Sequence, residues 1–396
     1  MLKILRSLIF LFLILKIDNV YAQLFSEDII VGAERLDKYL PSLKGKKVAL
    51  LVNQTSTIQQ THLVDTLLSL DINIVKIFAP EHGFRGTASA GEKVKNGIDV
   101  KTGIPISSMY GASKRPTKES MQGIDIVIFD IQDVGARFYT YISSLQYMME
   151  ACAEFNIPLL ILDRPNPNGF YVDGPILEPK YKSFVGMQPI PIVHGMTVAE
   201  YAQMLNGEKW LANQKKCQLK IVECENYNHK KFYQLPIPPS PNLKTPTAIF
   251  LYPSLCLFEG TLVSVGRGTD LPFEVWGAPI FQKGGYSFVP KSMEGATKPM
   301  YEGQTCYGGK LQMEPEAALK ILNHKLNFTF IKNAYFLTKN KPTFFNDFFE
   351  KLSGTYSLRL LIMQNKSDEE IRNSWKEDVE KFKTIRKKYL LYSDFE

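Results

Sequence analysis

Cysteine is scarce in this 396-residue sequence. Five residues, at 152, 217, 224, 256 and 306, show neither a C-x-x-C pair nor zinc-finger spacing, so neither a disulfide framework nor a structural zinc site organises the chain. Cys217 and Cys224 could pair, and buried free thiols fit the pattern equally. No G-x-G-x-x-G follows the first internal apolar run, where VNQTSTIQQ stands, and no G-x-x-x-x-G-K-[ST] occurs. A nucleotide cofactor is therefore not expected. H-E-x-x-H and H-x-x-E-H are also missing, which argues against a dedicated zinc site, and the lack of a G-x-S-x-G elbow counts against a serine hydrolase.

With 45% hydrophobic, 22% charged and 12% aromatic residues, the composition is that of a folded globular protein. The length exceeds that of most single cores, so two domains are expected. Residues 1–22 place Lys3 and Arg6 before an apolar run from Leu8 to Leu15 and end in Val20-Tyr21-Ala22, the pattern of a signal peptide cleaved after Ala22. The run falls short of the roughly 20 residues that span a bilayer, so no stable membrane anchor is expected. Cleavage would remove three bases and one acid and lower the formal charge from +7 to +5. The lysines near the C-terminus follow acidic residues along a helical pattern and read as a solvated face, not a nucleic-acid surface.

Four apolar runs, KVALLVN (47–53), NIVKIFAP (73–80), IDIVIFD (124–130) and IPLLILDR (157–164), have the character of buried parallel strands. Helical periodicity separates several of them, at 62–70 and 138–155. The alternation predicts an α/β fold, a Rossmann-like doubly wound, mainly parallel sheet over residues 23–185, followed by a smaller α+β domain over 186–396. Pro- and Gly-rich stretches at 163–175 and 236–246 read as irregular loops. Helix starts are predicted at Thr197 and Ser367, each with a glutamate three residues on.

Each expected strand ends in polar residues, and in such sheets the ligand crevice lies beyond the carboxyl ends of the strands. This brings forward Glu81, His82 and Arg85 in FAPEHGFRG, Asp130, Gln132 and Asp133 in DIQDVGARFYTY, and Arg164 and Asn166 in DRPNPNG. Glu92, after the small run TASAG, could approach a ligand or be an exposed loop glutamate. Paired carboxylates suit glycosidic cleavage, which needs an acid for the leaving oxygen and a second group to deliver water or attack the sugar. Asp130 and Asp133 could equally cap the following helix. Arg137 and Tyr139 offer a carboxylate-reading fork and a sugar-stacking ring, although Tyr139 could simply pack a helix. His194 precedes the capped helix at Thr197, which explains most of its setting. In FEGTLVSVGRGTDLPFEVWGAP (258–279), Glu259, Arg267, Thr269 and Glu274 stand among glycines and read as a ligand-facing loop.

These segments together resemble the NamZ-type exo-β-N-acetylmuramidases, long catalogued only as a domain of unknown function. The matching stretches are NQTS (53–56), FAPEHGFRG (78–86), AGE (90–92), DIQDVGARFYTYI (130–142), LDRPNPNG (162–169), HGMTVAEY (194–201), PPSPN (238–242) and 258–279. They follow one another over nearly the whole chain. The resemblance implies an active cleft between two domains and removal of terminal N-acetylmuramic acid from the non-reducing end of peptidoglycan fragments. Glu92, in the AGE motif, would be a catalytic acid or base, and Glu81, His82 and Arg85 would line its pocket. Asp130, Asp133, Tyr139 and His194 are candidates for its partner. Muramic acid carries a lactyl carboxylate, for which Arg85, Arg137, Arg164 or Arg267 could supply the reader. A non-catalytic muropeptide-binding protein on the same scaffold is the alternative, and an exported esterase or amidase a weaker one. The signal peptide would place the chain in a periplasm or outside the cell.

Overall fold

In a computed structural model, residues 29–84, 96–111, 114–281, 285–338 and 341–396 are described. The expected signal peptide, Arg85 and Glu92 lie outside the described residues. Among the described residues the strands are β1 (Val48–Val52), β2 (Thr57–Ile58), β3 (Thr61–His62), β4 (Ile74–Ala79), β5 (Gly97–Ile98), β6 (Pro105–Ser108), β7 (Ile126–Asp130), β8 (Leu159–Leu162), β9 (Leu219–Val222), β10 (Val275–Ala278), β11 (Tyr286–Phe288) and β12 (Cys306–Lys310).

Seven of these form one sheet in the order β5-β6-β4-β1-β7-β8-β9. All its pairs are parallel except β5 with β6. The four expected strands are β1, β4, β7 and β8. Every residue of β1, β7 and β8 is buried, because helices cover both faces and leave no solvent side on which polar residues could alternate. The helix Tyr141–Phe155 begins three residues later than its periodicity suggested, since a turn over residues 136–139, closed by Tyr139 N–H on the Ala136 carbonyl (2.9 Å), precedes it.

The sheet does not end at residue 185. QLKIVEC returns as β9 and pairs with β8 through Leu159 to Leu162, so the expected change of domain at 185/186 falls before the last strand of the first sheet. Beyond it lie the antiparallel sheet β10-β12-β11 and a series of helices. One hydrophobic core runs without interruption from Ala49 and Phe129 in the sheet through Phe250 and Phe258 to Phe344 and Phe382. Both anticipated capping boxes form, at Thr197 with Glu200 and at Ser367 with Glu370.

Candidate active site

Chain direction in the sheet reverses at β1. β4, β6 and β5 build out one side of it, and β7, β8 and β9 the other. The carboxyl ends of β1 and β7 thus frame the crevice in which doubly wound folds hold a ligand. Here protein fills it. Ser56 donates its hydroxyl to the Asp130 carbonyl, Gln132 N–H binds Thr55 Oγ1 at 3.0 Å, and Thr55 N–H binds Asn53 Oδ1 at 2.9 Å.

The interior polar residues around this plug account for several of the groups expected to bind substrate. Arg164 meets Asp130 through Nε–Oδ1 (2.5 Å) and Nη2–Oδ2 (2.9 Å) and donates to the Thr57 carbonyl (3.0 Å). Both partners are buried, which is how an isolated charge is tolerated inside a protein. Arg164 also borders a separate cavity of about 540 Å³ with Glu34, Thr57 and Tyr233. Gln132 Nε2 is used on the Pro165 and Asp133 carbonyls. Asn166 spans the Met196 carbonyl and Asn168 N–H. Arg137 donates to the carbonyls of Pro175, Ile190 and Leu352, and burial lowers its pKa to about 9. Asp133 accepts Gly135 N–H at 2.7 Å, and burial pushes its carboxyl up to about 7. His194 accepts Met196 N–H on Nδ1 (3.2 Å), with burial and then the charge of Arg386 lowering its pKa to about 3. Thr269 closes a turn on the Gly266 carbonyl (2.7 Å). None of these lines the cavity described next; the backbone carbonyls and amides of irregular buried loops claim them instead.

That cavity, of about 380 Å³, opens one strand away, where β4 ends. Glu81, His82, Tyr139, Glu259 and Arg267, all expected site residues, line it. They come from both halves of the chain. β4 delivers Glu81 directly: the strand ends at Ala79, and a turn from the Pro80 carbonyl to Gly83 N–H (3.0 Å) follows. His82 sits in that turn at φ +67°, a left-handed conformation that a side chain other than glycine adopts at some cost. Thr140 Oγ1 donates to Glu81 Oε2 at 2.7 Å, and the Tyr110 hydroxyl also bonds to Glu81; burial and then that carboxylate raise the phenol's pKa. Tyr139 and Tyr141 both donate to the Pro239 carbonyl, at 2.8 and 3.2 Å, which ties the helix start to the PPSPN loop.

On the opposite wall Arg267 Nε meets Glu259 Oε1 at 2.7 Å, and the guanidinium lies 5.1 Å from the centre of the Phe273 ring. Tyr252 packs edge-on against Phe138, Tyr139 and Phe273 and completes an aromatic floor. Tyr110, Thr140, Tyr252 and Phe273 are lining residues that sequence reading did not single out. Thr140 was visible within FYTY. Tyr110 was not, because it follows β6, whose PISS sequence has no apolar run to betray a strand.

The fold and cavity define an α/β protein whose candidate ligand site, rich in carboxylate, phenol and guanidinium groups, joins the edge of a parallel sheet to a following α+β layer. The chain belongs to the NamZ exo-β-N-acetylmuramidase family: residues 48–247 match the family's N-terminal model and residues 250–392 its C-terminal model. It is 39% identical over 379 residues, 90% of this chain and 89% of the relative, to the peptidoglycan β-N-acetylmuramidase NamZ of Bacillus subtilis (strain 168). Two solved DUF1343 family proteins from Bacteroides fragilis NCTC 9343 share the fold. One has a TM-score of 0.86 at 50% identity, covering 93% of this chain and 100% of that one. The other has a TM-score of 0.73 at 28% identity, covering 92% and 99%.

Proposed function

We propose that this chain is an exo-acting glycoside hydrolase that releases terminal N-acetylmuramic acid from the non-reducing end of MurNAc-GlcNAc fragments of peptidoglycan. The observation that carries the reading is a cavity at the end of β4 to which both family-matched halves contribute, with Glu81 and Tyr110 from one and Glu259 and Arg267 from the other. Its volume of about 380 Å³ is near the small end of ligand sites, roughly 300–1,000 Å³. That suits one substituted sugar, as exo action requires, better than a long glycan.

In this reading Glu92 and Glu81 are the carboxyl pair, one protonating the leaving oxygen and the other serving the water or the anomeric carbon. Glu81 is held for the task by the Thr140 and Tyr110 hydroxyls. The segment bearing Glu92 leaves the described structure at Phe84, two residues after cavity-lining His82. Residues 1–22 support export to the compartment where peptidoglycan lies. The deciding experiment is chromatography of a MurNAc-GlcNAc disaccharide digest. Free N-acetylmuramic acid is expected with the native chain and none with Glu92→Gln. Tight disaccharide binding without turnover would favour the binding-protein alternative.

A further inference from the structure

The terminal sugar that this reading assigns to the cavity is an acid, and the cavity wall offers one described arginine to meet it. We propose that Arg267 reads the lactyl carboxylate of the terminal muramic acid, with Glu259 as the residue that holds it in position. The inference rests on the proposed activity and adds the group that makes it selective.

Among the described candidates, the choice follows from what Arg137 and Arg164 already do. The Arg137 guanidinium is spread over three backbone carbonyls, and both edges of Arg164 are spent on Asp130 and the Thr57 carbonyl. Neither lines the cavity. Arg267 does, and Glu259 occupies only its Nε. The two terminal nitrogens have no hydrogen-bond partner among the described residues, and they form the edge of the fork that fits a carboxylate with two parallel bonds. Burial works against the charge, and Glu259 more than offsets it, so the guanidinium stays cationic.

The surrounding loop is shaped for this presentation. Gly266 and Gly268 flank Arg267 at φ +78° and +84°. A Cβ on Gly266 would lie 2.4 Å from Val275 Cγ2, and one on Gly268 would lie 2.7 Å from the Lys291 carbonyl oxygen. Only glycine fits both the turn and the space. Thr269 then locks the loop by donating to the Gly266 carbonyl, and Phe273 lies beneath the guanidinium. The Gly-x-Gly of VGRGTD, which leads to no phosphate site, instead turns one cation out towards a ligand. Preorganisation of this kind costs little on binding.

The test compares the native chain with Arg267→Lys and Glu259→Gln on 4-nitrophenyl β-N-acetylmuramide and on the same substrate with its lactyl carboxylate methylated. Loss of one of the two parallel bonds in Arg267→Lys should raise KM by at least roughly tenfold, with a smaller change in kcat. Methylation should cost the native chain clearly more than it costs Arg267→Lys, whose ammonium keeps the charge but only one of the two parallel bonds. Glu259→Gln should fall between the two. Calorimetry with free N-acetylmuramic acid and N-acetylglucosamine repeats the comparison without turnover, so a variant that merely loses activity still reports. A native chain that prefers the acid while Arg267→Lys keeps the full preference overturns the assignment alone. A native chain that hydrolyses neither muramide overturns the proposed activity, and the assignment with it.

Discussion

Thr140 Oγ1 lies 2.7 Å from Glu81 Oε2, across 59 residues of sequence. The bond joins the end of β4 to the turn that opens the helix Tyr141–Phe155, so the carboxylate is oriented by a different element from the one that carries it. If Glu81 takes part in proton transfer, Glu81→Gln should lower kcat on a muramide by at least about 100-fold. Thr140→Val, which removes only the orienting hydroxyl, should cost about tenfold. Urea unfolding of both variants should stay close to that of the native chain. Full turnover in Glu81→Gln would remove it from the chemistry.

The Asp130–Arg164 pair is assigned to stability, not to substrate. Asp130→Asn should cost about 3–5 kcal/mol in urea unfolding, because it strands a buried guanidinium. Arg164→Met should cost a similar amount. The double variant should lose less than the sum, since neither partner is then left charged and alone. A variant that unfolds like the native chain but no longer binds sugar would return the pair to the site.

These two residues mark where the sequence was readable and where it was not. The continuous apolar runs of β1, β4, β7 and β8 identified the sheet, since strands buried on both faces cannot alternate. Their polar ends pointed to the edge on which Glu81 and His82 line the cavity. The same rule also promoted Asp130, Gln132 and Arg164, which plug the crevice between β1 and β7. From sequence, a guanidinium aimed at a carbonyl and one aimed at a ligand are the same letter. The extent of the first sheet was missed for a related reason: β9 arrives more than fifty residues after β8, beyond a loop rich in proline and glycine, and nothing local records which edge it will join.

His194 gives a pH dependence whose sign is fixed by its surroundings. Its Nδ1 accepts the Met196 amide, so the folded protein holds the ring neutral, with a pKa lowered to about 3. The unfolded ring titrates near 6.5. Its contribution to stability is complete above about pH 6.5 and is lost as the pH falls towards 3, by at most about 1.4 kcal/mol per pH unit. Asp133 and Asp163, both pushed up to about 7 by burial, act in the opposite sense: they favour the folded state at low pH and lose that contribution as the pH rises from about 4 to 7. Because that term is common to both proteins, it cancels when native chain and His194→Gln are compared. The difference in their urea stability should shrink steadily from pH 7 to pH 4. A constant difference would mean that the histidine titrates normally when folded.

The end of the chain should act as a strap on the first sheet. The Tyr392 hydroxyl donates to Asp163 Oδ2 at 2.7 Å and accepts Cys224 N–H at 2.9 Å, while Leu391 N–H reaches Glu200 Oε1 at 2.9 Å. These contacts fasten the C-terminal tail across the ends of β8 and β9, and Arg386 with Asp394 closes the tail on itself. Tyr392→Phe preserves the packed ring but leaves a buried amide and a buried carboxyl oxygen without their partner. It should therefore cost about 1–3 kcal/mol. The informative readout is amide hydrogen exchange at Cys224, which should accelerate while exchange in β1 and β7 changes only as far as global stability falls. Unchanged protection at Cys224 would show that the tail merely rests on the sheet, since an amide released from its only acceptor cannot keep its native exchange rate.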